Sequence, residues 1–363
     1  SNVAGIVDEF GVWARGITAD EVAAIYNGGA GAPLISAGTA TPKPRLGGMA
    51  ATAVGISFQV KDVDGATVDP DSIVVNFDGA DVEVTKSTAE GVTTVSYVSP
   101  ELLAPESVHI VKVSVTDTNG NSTRLEKEAK VKAYTLIDSS VTVADSMKGD
   151  PGFLVYATQI SSGQGVGSLH GNSWANAEKQ INGEYIDPDT EEQYLNEADI
   201  DSFEGWSYYP EIVETVNQNQ DAPGGVGNFQ ANDKADSTDR EDEPLTGIPG
   251  WGDSTDGIVS EYIALLELEP GAYKLGVNSD DGFSATIGAN FGDLLAQQIG
   301  VFDGGRGASS TTFDIVVQEA GLYPYRVLWW EGGGGANIEI YSHVNGEKTL
   351  INDPEVDGSI KAY

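Results

Sequence analysis

The sequence predicts an all-β protein made of two β-sandwiches in series. Three observations support this. Apolar residues recur with period two in many short runs, such as Ile56, Phe58 and Val60 or Tyr273, Leu275 and Val277, the signature of strands with one buried face. Pairs such as Asp64-Gly65, Asp78-Gly79 and Asn119-Gly120 punctuate those runs as turns. The chain is rich in Gly, Thr, Val and Asn and holds few apolar runs of helical spacing.

Length and charge narrow the function classes. A chain of 363 residues has room for two or three domains, each with a real core. With 19 basic against 56 acidic residues the formal charge is −37, which argues against binding to a phosphate backbone and favours divalent cations or salty surroundings. No nucleic-acid partner is expected. Cysteine is absent, so neither a disulfide framework nor thiolate chemistry is available. No run of about 18 apolar residues occurs, so no membrane insertion is expected, and Ser1 opens no basic-then-apolar leader.

Residues 1–30 predict a strand over 6–13 and a short helix over 18–27. Thr18 and Glu21 form a capping box, Val22, Ile25 and Tyr26 make one apolar face, and Asn27-Gly28 provides a left-handed stop. The stretch GIVDEFGVWARGITADEVAAIYNGG resembles the last strand and closing helix of a laminin-G or concanavalin-like domain. A lone strand and short helix cannot bury their own apolar faces, so this tail is expected to dock on another surface. Residues 31–48, rich in Ala, Gly, Pro and Thr, read as a semi-extended linker.

Residues 49–138 alternate repeatedly, as in Val111, Val113 and Val115, and their turn spacing predicts an immunoglobulin-like sandwich of about seven strands. The segment VHIVKVSVTDTNGNST resembles the closing strand and turn of bacterial immunoglobulin-like repeats, which serve as spacers. No site is assigned there, and Asp62-Val63-Asp64-Gly65 and Asp117-Thr118-Asn119-Gly120 read as hairpin turns.

Residues 139–363 are too long for the same module. The part from Gly163 to Gly257 is mostly polar, with an acidic run from Asp233 to Glu243, and predicts long loops. Strands return over 258–342, where Phe313, Ile315 and Val317 form one inward set and Tyr325, Val327 and Trp329 another. Because neighbours on a strand point to opposite sides, one of Trp329 and Trp330 is expected in the core and at most one is available to a sugar ring, with core packing favoured for at least one. The segments ELEPGAYKLGVNSDDGFSATIG and VVQEAGLYPYRVLWWEGGGGANIEIYS resemble the protective-antigen-type β-sandwich of yeast flocculins and bacterial adhesins. The order of modules is similar to that of large modular secreted proteins of environmental bacteria.

The chemistry centres on Asp280 and Asp281. Two adjacent carboxylates at a strand end repel unless a cation or several donors separate them, and calcium takes six to eight oxygens. In sugar-binding members of the resembled family this turn is a cis Asp-Asp peptide, and the metal holds two sugar hydroxyls directly. The resemblance further implies ligands from the loop Glu331–Asn337, with Asn337 as an oxygen donor and Glu331 a weaker one. That loop departs from the pattern in carrying four consecutive glycines. The alternative reading is a plain Asp-Gly turn without an ion. The acidic run Asp233, Asp236, Asp239, Glu241, Asp242 and Glu243 lacks the spacing of a calcium loop and reads as solvated.

No nucleophile elbow, phosphate loop or zinc-type histidine pair occurs, and His109, His170 and His343 are dispersed, so no enzyme is expected. The expected role is structural or adhesive at the cell exterior. In the first version, the tail docks on a neighbouring subunit and head-to-tail self-association builds a homopolymeric fibre. The alternative is a calcium-dependent, glycan-binding adhesin module held on an immunoglobulin-like spacer, with Asp280, Asp281 and Asn337 as metal ligands.

Overall fold

The computed structural model describes residues 43–63, 66–198, 209–229, 240–293 and 295–363. The expected N-terminal strand and helix, most of the expected linker and the Asp64-Gly65 turn lie outside them. The described residues divide into two compact units, one holding 43–49, 57–97 and 110–128 and the other 50–56, 98–109 and those from 129 onward.

The all-β expectation is met in both. Eight strands, β1 (Arg45–Thr52), β2 (Gly55–Lys61), β3 (Val74–Phe77), β4 (Ala80–Val82), β5 (Thr85–Ala89), β6 (Val92–Val98), β7 (Val108–Thr116) and β8 (Ser122–Lys130), form two four-stranded sheets. Their orders are β1-β2-β6-β5 and β4-β3-β7-β8. The alternating residues Phe58, Val60, Val75, Val95, Val111, Val113 and Val115 are buried, as the period-two pattern requires. The β3–β4 turn falls on Asp78-Gly79, both at positive φ, which suits the twist of a two-residue hairpin.

The larger unit contains β9 (Thr135–Ile137), β10 (Phe153–Gln159), β11 (Tyr209–Val213), β12 (Asn217–Asn219), β13 (Ile258–Leu268), β14 (Gly271–Asp280), β15 (Gly282–Ile287), β16 (Gln297–Phe302), β17 (Ser309–Val317), β18 (Gly321–Glu331), β19 (Asn337–Val344), β20 (Glu347–Leu350) and β21 (Lys361–Ala362). One sheet runs β11-β10-β13-β18-β15-β16, with β21 beside β13; the other runs β12-β19-β14-β17-β9, with β20 beside β19. Between them lies one apolar core containing Tyr262, Leu275, Val277, Phe283, Ile315, Tyr325, Val327, Trp329, Ile338 and Ile340. The inward sets read from the sequence are therefore the observed ones.

The tryptophans follow the core reading, and both do so. Trp329 enters the main core, but Trp330, on the opposite side of β18, is also fully buried. It packs with Leu328 and Val259 against Ala177 and Ile181 of a helix, Trp174–Ile181, that covers this outer face. Neither indole is available to stack on a sugar.

Candidate metal centre

The centre forms where two chain reversals meet. β14 pairs with β19 so that Asp280 faces Asn337, while β15 pairs with β18 so that Gly282 faces Trp330. The loop from Glu331 to Asn337 is thereby laid against the Asp280-Asp281 turn. The peptide bond between these two aspartates is cis, as the sequence resemblance implied. Gly282 completes the turn because a Cβ there would lie 2.4 Å from the Trp330 ring.

One carboxylate oxygen from each of Asp280, Asp281 and Glu331 lies within 4.8 Å of the other two. Asp281 is oriented by two backbone donors, Arg306 N–H at 2.7 Å and Gly332 N–H at 3.0 Å. The Arg306 side chain donates from Nε to the carbonyl oxygens of Ser279 and Asp281 at 3.1 and 3.2 Å, and sits 4.3 Å from the Phe302 ring centre. It braces the turn through its backbone oxygens. His170 fixes the other side: its Nδ1 accepts Asn172 N–H at 3.1 Å, so its Nε2 donates to the Glu331 carbonyl at 3.0 Å. Burial holds the His170 imidazole neutral, with its pKa lowered to about 4.

The electrostatics are those of a carboxylate cluster without enough positive charge. Burial, with the neighbouring Asp281 charge, pushes Asp280 up to about 6. Burial, then the charges of Asp281 and Asp280, pushes Glu331 up to about 9. Glu331 is fully buried, and neither of its oxygens receives a well-formed hydrogen bond among the described residues. Asn337 is also fully buried; its Nδ2 donates to Asn278 Oδ1 at 2.9 Å, which leaves its Oδ1 without a partner. Buried oxygen atoms left in this way cost about 1 to 3 kcal/mol each, more when charged. A hard cation satisfies them together, and calcium suits four side-chain oxygen donors whose remaining positions stay open. The residues fit that ion.

The structure thus brings Asp280 and Asp281 together with Glu331, which the sequence reading placed as the weaker donor, and sets Asn337 opposite Asp280 across the β14–β19 pair. The signal for Glu331 was a carboxylate directly after the apolar run Val327–Trp330, a place where an unpaired charge is costly. The glycine loop also acquires a reason. Gly333, Gly334 and Gly335 are exposed, and a Cβ at Gly335 would approach Asp280 Oδ2 to 3.1 Å. Gly334 N–H donates to Asp256 Oδ1 at 3.2 Å and anchors the loop.

The acidic run requires a correction. Asp233, Asp236 and Asp239 lie outside the described residues, but Asp242 is buried rather than solvated. Backbone hydrogen bonds tie Glu243 to both Asn217 and Asn219, which draws Asp242 inward to accept from Asn219 Nδ2 at 3.1 Å. Burial raises its pKa.

No protein-family model matches the chain, and no curated protein matches it at a significant level. Solved structures that resemble it include a PA14 sugar-binding domain from an RTX adhesin, at 18% identity over 56% of this chain and 96% of that one, with a TM-score of 0.32. The PA14 domain of the MpAFP antifreeze protein is similar at 14% identity, over 61% and 95% of the two chains, with a TM-score of 0.34. The A domain of epithelial adhesin 6 from Candida glabrata, in complex with Galβ1-3GlcNAc, follows at 10% identity over 58% and 88%, with a TM-score of 0.35. At these scores the likeness bears no weight of its own, and the centre stands on its geometry.

Proposed function

We propose that the larger unit is a non-catalytic, calcium-dependent glycan-binding module of an extracellular adhesive protein. The observation that carries this is the convergence of the carboxylates of Asp280, Asp281 and Glu331, with Asn337 set opposite Asp280 across the strand pair and its buried Oδ1 without a partner. Asp280, Asp281, Glu331 and Asn337 would hold the ion. Bound calcium supplies a positive centre with open positions for neutral oxygen ligands. The chain's part is to hold the acidic oxygens in place, through Arg306 N–H and Gly332 N–H on Asp281, and to keep the approach clear. The exposed glycines 333–335 present backbone and no side chain on the loop beside Asp280. Vicinal sugar hydroxyls are compact neutral oxygen pairs that suit such an opening.

The test is a glycan array probed with the full chain in calcium and again in chelator. Calcium-dependent retention of particular glycans, lost in Asp280→Asn with Asp281→Asn, is the expected result. Retention that is unchanged by chelator, or absent throughout, would reject glycan binding through this centre.

A further inference from the structure

One row of side chains apart from the metal ligands joins an amine, a carboxamide and a buried carboxyl. Lys348 on β20 donates through Nζ to Oδ1 of Asn228. The nitrogen of that amide donates to Glu339 Oε2 at 2.7 Å. Glu339 is 1% exposed, and its Oε1 accepts the backbone N–H groups of Asn228 at 2.6 Å and Phe229 at 3.0 Å. The approach is close enough to require glycine at 227, where a Cβ would lie 2.1 Å from Oε1. Ser310 Oγ stands 3.2 Å from Asn228 Oδ1 and 3.1 Å from its Nδ2, and accepts from Asn278 Nδ2 at 3.1 Å. The Tyr341 ring lies 5.5 Å from Nζ, and Phe229, Tyr341 and Leu350 form a small apolar cluster of their own.

A surface lysine that only meets solvent or a counter-ion needs none of this. Here the nucleophile touches the amide oxygen and a carboxyl touches the amide nitrogen. We infer that Lys348 and Asn228 join in an intramolecular isopeptide bond, with Glu339 moving the proton between the two nitrogens.

The step balances with no further reactant than solvent water. Lys348 first gives one ammonium proton to water; the Nζ lone pair then bonds to Asn228 Cγ, and the carbonyl electrons move onto Oδ1, where Ser310 Oγ can donate. The Glu339 carboxylate takes a proton from the now positive Nζ and gives it to Nδ2. The Cγ–Nδ2 bond then breaks, the carbonyl re-forms and one ammonia leaves, so Glu339 ends as the carboxylate it began as. Holding both partners in one hydrogen-bonded row replaces a bimolecular encounter, which is the main barrier to amide exchange at an unactivated carboxamide that positioning can remove. The product ties edge strand β20 to the segment after β12 and closes a covalent loop between positions 228 and 348.

Mass spectrometry of the purified full chain tests this directly. The expected wild-type mass is lower than the sequence mass by one ammonia, and digestion yields a branched peptide joining Lys348 to Asn228. Lys348→Arg, and Glu339→Gln showing the wild-type near-ultraviolet circular dichroism, are expected at full sequence mass with no branched peptide. The thermal midpoint of Lys348→Arg should fall below that of the wild type. Wild-type protein at full sequence mass after prolonged incubation would overturn the bond, as would ammonia loss without that branched peptide. A branched peptide that persists in Glu339→Gln would overturn the role of Glu339. Because the wild-type mass decides by itself, a variant that misfolds cannot rescue the proposal.

Discussion

Glu331 shows how a single residue sets the energetics of the centre. It is a carboxyl with a pKa of about 9 in the fold against 4.5 for an ordinary glutamate, so across that interval the folded chain binds a proton that the unfolded chain has lost. Stability without metal therefore falls as pH rises through the window, by on the order of 1 kcal/mol per pH unit. The other strongly shifted acids finish lower, Asp280 at about 6 and Glu339 at about 7, and the depressed His170 acts only below its ordinary value of 6.5. Between pH 7 and 9 the slope belongs mainly to Glu331. Thermal unfolding of the chelated protein should lose midpoint across that range, calcium should remove most of the loss, and Glu331→Gln should flatten the profile while weakening calcium binding. A chelated wild type with a flat profile would contradict this. Asp280 and Asp281 were legible in the sequence because they are neighbours in it. Glu331 was legible only as the weaker donor that the resemblance implied, and His170 and Arg306 were not legible at all, because only the pairing of β15 with β18 and the loop after β16 bring residues so far apart in sequence to one point.

At the scale of elements, β18 is the strand on which the larger unit turns. Its inward residues were readable from alternation, since period two is a property of the backbone. Its outward face was not, because what covers it is the helix Trp174–Ile181, whose short WANAEKQI sequence sits in a polar, glycine-rich region without a long apolar stripe. That helix is held by charge as well as by Trp330. Arg326 on β18 donates to both oxygens of Glu178, at 2.6 and 2.9 Å, and to Glu261 on β13, with all three groups largely buried. Removing the cation leaves two buried carboxylates facing each other. Arg326→Ala should therefore lower the unfolding free energy by about 3 to 5 kcal/mol, read as a reduced urea midpoint. A change below about 1 kcal/mol would mean that water reaches the two glutamates readily. The turn at Asp280-Asp281 is an element-level feature too. Its glycine was legible as punctuation, but the reason for it, contact with an indole, is tertiary.

For the whole molecule, the formal charge of −37 gains a local meaning. Most acidic residues of such a chain are solvated, and composition alone cannot say which are buried together. The structure separates a centre in which carboxylates are crowded, buried and short of donors from a surface where they are not. The class of the fold was legible because two sandwiches need only alternation and turns. The centre was legible in part, through two adjacent aspartates and the asparagine that the neighbouring strand sets opposite them. The proposed function rests on a calcium ion at this centre, so the most direct measurement is calcium titration by calorimetry into the chelated full chain at physiological salt. Saturable binding of one calcium per chain is predicted, reduced to background in Asp280→Asn with Asp281→Asn. Binding of equal strength in that variant, or none in the wild type, would contradict the account.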